Sequence, residues 1–169
     1  MSRVQLDLAV KNISFAREYT LETLSGIEPD DWFRQAEGSV SHLAWQIGHL
    51  AMAEYGLTML RIRGKEPADE SLISKNFLRK FKKGSTPVFD AAEYPAIEEI
   101  LAVFHAVHEQ ALAELGTYTS DDQFAETLPA PYAVYPNKLG SILFCSCHEM
   151  LHAGQIGMIR RLLGKPPVR

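Results

Sequence analysis

Several things are scarce in this 169-residue sequence, and each scarcity excludes something. There are only two cysteines, Cys145 and Cys147, and they stand two apart. Residues i and i+2 on a helix point in divergent directions, so the two do not pair and no disulfide framework exists. No uninterrupted apolar run approaches the roughly 20 residues that a membrane-spanning helix needs. The net charge is only −4, which leaves no basic footprint for nucleic acid. Internal repeats, low-complexity tracts and strand-like two-residue alternation are missing. The opening stretch MSRVQLDLAVKNISF carries Arg3 and Asp7 and lacks the apolar centre of a signal peptide. These absences predict a cytoplasmic protein of one domain, residues 1–169, touching neither membrane nor nucleic acid. With 46% hydrophobic residues the chain can bury an ordinary core without staples.

What the sequence does contain is helical periodicity. Four segments carry apolar residues at three- and four-residue spacing. The first runs from about Val4 to Leu24. The second opens at a serine cap, Ser39 or Ser41, and closes at Gly64 before Pro67. Pro95 suits the first position of the third, which Gly116 ends. The fourth spans about Leu139 to Leu163 and stops at GKPP. Long connections of about 65–93 and 117–138 separate them, the first with a short helix near 74–81, and they suggest crossovers. The predicted fold is therefore all-α, a four-helix bundle with long crossover connections.

The stretch CSCHEMLHAGQIG, residues 145–157, contains the pattern H-E-x-x-H. On a helix, His148 and His152 lie about 40° apart and can grip one ion. Their face also holds Phe144, Cys145 and Gln155, which aims the imidazoles at the bundle interior. A zinc peptidase would place a third ligand downstream. Residues 153–169 contain no Asp, Glu, His or Cys, and no strand edge is available to bind a peptide. A third ligand must come from upstream. His49 is the best placed, inward on the second helix and followed by the small Ala53 and Gly56. His108, near the centre of the third helix's apolar stripe, is next. His42 lies about 10 Å further along the second helix, which suits a helix start or a supporting position better than a ligand.

WQIGHLAMAE in the second helix and HEMLHAGQIGMIRRLLGKPP at the end resemble the DinB-like (YfiT-like) family, over essentially the whole chain. The resemblance implies a metal-binding four-helix bundle with a three-histidine site, here His49, His148 and His152, holding zinc or nickel. Some relatives are S-transferases that use the metal to activate a low-molecular-weight thiol such as bacillithiol, mycothiol or glutathione. That implies a small-molecule substrate and a transferase. A metal-dependent hydrolase and a non-catalytic metal-binding stress protein are the alternatives.

Further residues take two readings each. Glu149 is either a general base for metal-bound water or a partner in a salt bridge to a neighbouring helix. Cys145 is a fourth ligand or a small core residue. Gln155 and His108 could hydrogen-bond an imidazole from behind, and His108 could instead pack in the core. Tyr132 and Tyr135 either line a pocket or belong to a packed cover. Arg34, Lys138, Arg160 and Arg161 are the cations available for an anionic thiol. The side of the fourth helix made by Leu143, Ser146, Met150, Ala153 and Gly157 is non-polar, which predicts a homodimer or cover by a crossover loop.

Overall fold

The computed structural model describes residues 2–129 and 135–168. Helix α1 (Val4–Thr23) leads through a looped connection to α2 (Leu43–Tyr55). A π turn, Gly56–Leu60, joins α2 to the short α3 (Arg61–Arg63). Two small helices, α4 (Asp69–Leu72) and α5 (Lys75–Phe81), lie in the following connection. The long α6 (Ile97–Thr117) and α7 (Lys138–Leu162) complete the chain. No β-strand occurs among the described residues, where an isolated antiparallel bridge joins Thr127 to Asn137. With helices alone available, burial must be helix on helix, and the result is an all-α bundle.

The pairing follows the apolar stripes. Leu6, Ala9, Ile13 and Ala16 recur at three- and four-residue spacing on the buried face of α1. Helix α1 packs chiefly on α7, and α2 chiefly on α6. One buried cluster gathers Ile47, Leu50, Tyr55, Phe81, Phe104 and Ile156. A second gathers Leu6, Ile13, Leu57, Leu115, Phe124 and Ile142. Each such aliphatic or aromatic side chain contributes about 1.5–3 kcal/mol on full burial.

Three boundaries differ from the sequence pattern. The cap of α2 is His42, not Ser39 or Ser41: its Nδ1 accepts from the Trp45 N–H at 3.2 Å. Pro95 precedes α6 rather than opening it, and α6 runs one residue past Gly116. The second helix is not uniform either, because the π turn interrupts it before Gly64, at φ +86, ends it.

One glycine sets the position of α5. A Cβ at Gly48 would sit 2.4 Å from the Phe81 ring, so only glycine lets that ring lie against α2. The non-polar side of α7 divides: Ser146 and Ala153 are buried within the chain, whereas Met150 is exposed.

Candidate metal centre

His49 on α2 meets His148 and His152 on α7 across the bundle. Their ligand nitrogens all lie within 4.8 Å of one another. The ring centroids are 4.6–5.3 Å apart. Two of the rings are fixed from behind. The His49 Nδ1 lies 2.7 Å from the carbonyl oxygen of Phe81, and the His152 Nδ1 lies 2.5 Å from Oε1 of Gln46. Both oxygens accept, so each Nδ1 must carry the proton and donate it. That tautomer leaves the Nε2 lone pair of each ring for an ion, the arrangement that metal-binding imidazoles need. Trp45 stacks on His49 at 4.8 Å and 9°, and its indole N–H donates to Ser85 at 3.0 Å.

The electrostatics agree. Burial lowers His49, against the pull of the Phe81 carbonyl. Burial, then His49 and Lys83, bring His148 down to about 4. Burial, then the other two imidazoles, bring His152 down to about 3. At neutral pH the trio is uncharged and its lone pairs are available. These residues fit a divalent cation. They open into a cavity of about 740 Å³, walled by Trp45, Met52, Leu57 and Phe144 among others. Gln155 lines it as well.

Glu149 follows His148 in sequence yet belongs to a different cluster. Its Oε1 lies 2.9 Å from Nε of the buried Arg17, and its Oε2 is 3.4 Å from Nη2. The same guanidinium reaches Glu54 at 2.6 Å and the Phe104 carbonyl at 2.8 Å, with its carbon 3.4 Å from the centre of the Phe104 ring. Glu54 also accepts from His108 Nδ1 at 2.8 Å. Thus α1, α2, α6 and α7 each give a polar side chain to a closed network, and α6 adds the Phe104 carbonyl. Burial raises Glu149 above its ordinary value, with Arg17 pulling against it. The salt bridge expected as one reading of Glu149 is the arrangement seen, and His108 supports Glu54 rather than an imidazole of the trio. Cys145 is buried in the cluster with Leu6 and Ile142, and burial, then Glu54 and Glu149, push its thiol well up. A neutral buried thiol packs as a small apolar group.

The cations expected for an anionic ligand are occupied elsewhere. Arg34 lies 3.1 Å from Asp31, Lys138 is 2.5 Å from Glu126, and Arg160 donates to the Pro166 carbonyl at 2.7 Å. Arg161 donates to the Gly157 carbonyl at 3.3 Å. Arg61, which has a partner of its own, and Lys83 line the cavity. Tyr132 lies outside the described residues, and Tyr135 is exposed beside the start of α7.

Sequence reasoning missed Gln46 and Phe81. Gln46 carried a signal, since it stands three residues before His49 and so near its face of α2. The Phe81 carbonyl carried none, because a backbone acceptor has no residue type.

A helical bundle with three inward imidazoles facing a cavity is the class that fold and site define. The sequence model of the DinB superfamily matches residues 12–156, so the chain belongs to that superfamily. No curated protein matches it. Among the described residues, no helix is long and apolar enough to cross a membrane.

Proposed function

We propose that His49, His148 and His152 hold a divalent cation, zinc or nickel, and that the protein is a cytoplasmic enzyme transferring a low-molecular-weight thiol to a small molecule. One observation carries this: the three neutral imidazoles open together into a cavity of about 740 Å³. A closed storage or structural site would have no use for such a space. A cation there would supply Lewis acidity, bringing a bound thiol or water to its anionic form near neutral pH. The chain's own residues do the rest. Phe81 and Gln46 hold two rings in the right tautomer, Trp45 fixes the plane of His49, and the apolar walls limit water. The hydrolase alternative with Glu149 as general base loses support, because Arg17 holds both oxygens of that carboxylate. Its other form, with metal-bound hydroxide as the nucleophile, does not depend on Glu149. The exposed row Leu151, Met158 and Leu162 on α7 supports a homodimer of single-domain chains.

The test is elemental analysis of untagged protein, wild type beside His49→Ala and His148→Ala. Metal near one equivalent in the wild type and lost in both variants is expected, with thiol consumption in the presence of electrophilic acceptors only by the loaded wild type. Wild type without metal after incubation with zinc or nickel would refute the reading. Light scattering at micromolar concentration reads the dimer.

A further inference from the structure

Two hydrogen bonds tie α2 to α7, and the cavity opens in the interval between them. At one end Gln46 accepts from the His152 ring at 2.5 Å. At the other the Ser141 hydroxyl donates to the Leu57 carbonyl at 2.9 Å. The ties fall eleven residues apart on each helix, about 16 Å along antiparallel axes. Between them each helix leans on a different neighbour, α2 on α6 and α7 on α1.

The far tie depends on the π turn. In an unbroken α-helix the Leu57 carbonyl would take the Arg61 N–H. Here that N–H bonds to the Gly56 carbonyl, five residues back, which frees the Leu57 carbonyl for Ser141. From His49 to Leu57 the slot runs about 12 Å. Along it α2 gives the cavity Met52, Ala53 and Gly56, and α7 gives it Phe144. A Cβ at Gly56 would meet nothing within 4 Å, so the space beside it is open. The polar part of the lining gathers at the other end, where Ser85 accepts from Trp45 beside His49. Water in the far part would find few side-chain partners, whereas a carbon-rich body would fill it.

We propose that the slot between His49 and Leu57 takes the apolar body, alkyl or aryl, of a small molecule whose sulfur or oxygen head meets the three imidazoles. Met52, unbranched and polarisable, adapts to bodies of different shape. The inference rests on the metal-centre reading for the head of the ligand only; the slot stands on the two ties, the π turn and the open space at Gly56.

The experiment is calorimetric titration of the zinc-loaded full chain with ethanethiol, butanethiol and hexanethiol. Affinity should rise about three- to fourfold per added methylene. Mercaptoethoxyethanol, as long as hexanethiol but polar along its length, should bind at least about tenfold more weakly. Gly56→Leu fills the open space and should flatten the series, with hexanethiol losing about tenfold or more. Gly56→Ala should shift the series the same way by less. A flat wild-type series would overturn the slot and leave the metal reading intact. So would a rising series that both Gly56 variants retain, or mercaptoethoxyethanol binding as tightly as hexanethiol. If no thiol binds, fluorescence of aminoanthracene, an uncharged aromatic that needs no metal, decides on metal-free protein. Enhancement by the wild type that the Gly56 variants lose would retire the thiol chemistry and keep the slot. No enhancement, or equal enhancement by all three proteins, would remove the slot as well.

Discussion

His148 and Glu149 are adjacent in sequence, yet they belong to two polar regions that solve opposite problems. Around Glu149, three buried polar groups and the half-buried His108, from four long helices, satisfy one another: Arg17 binds two carboxylates and a carbonyl, and His108 completes Glu54. Around His148, rings are anchored from behind while their forward nitrogens face open space. A network closed on itself is a structural device, because every desolvated charge has its partner. Groups preorganised but left with lone pairs towards a cavity are the mark of a binding site. One residue step, about 100° of helix rotation, separates the two regimes.

The comparison breaks most sharply at Arg17. Arg17→Met strands two buried carboxylates and should cost about 3–5 kcal/mol in urea unfolding. His148→Ala should do the reverse: near-complete loss of bound zinc by elemental analysis, but a change of at most about 1 kcal/mol in the metal-free protein, because that ring is only half-buried. A large destabilisation by His148→Ala, or metal loss in His108→Ala, would merge the two regions into one.

Gln46→Leu removes the acceptor behind His152 without touching any of the three imidazoles. Zinc affinity, read by competition with a chelator, should fall about 10- to 100-fold while thermal stability holds. The smallest effect is on pH dependence. Burial holds His42 at about 4, His148 at about 4 and His152 at about 3, below the ordinary 6.5. Between those values the unfolded chain binds protons that the folded one refuses, so metal-free stability should decline as pH falls from about 6.5 towards 4. Glu149, raised, contributes in the opposite sense. Urea midpoints across this range should therefore flatten in a His148→Ala/His152→Ala double variant. A slope unchanged by the double variant would assign it elsewhere.

The open region was far more legible in the sequence than the closed one. Two histidines four apart on one helix face announce themselves through local spacing, and His49 through its place on an inward face. The closed network joins positions 132 and 37 residues apart, through Arg17 to Glu149 and to Glu54. No local period encodes such pairs. A trace was nonetheless present: Arg17 stands on the same stripe of α1 as Leu6 and Ile13, and a cation among core residues demands buried anions nearby. The bundle itself followed from apolar periodicity and the lack of strand patterns. The π turn did not, since a single extra residue in a turn leaves the hydrophobic pattern around Gly56 almost unaltered.

Phe81 has a double duty with a thermodynamic consequence. Its ring fills the space that Gly48 leaves against α2, while its carbonyl holds the His49 imidazole. The short helix α5 is thus latched to the centre by the same bond that sets the tautomer of the His49 imidazole. Local opening of residues 75–87 must then break that bond, and linkage makes the effect mutual. Occupancy of the three imidazoles would slow amide exchange in this segment, and a loosened segment would weaken the centre in equal measure.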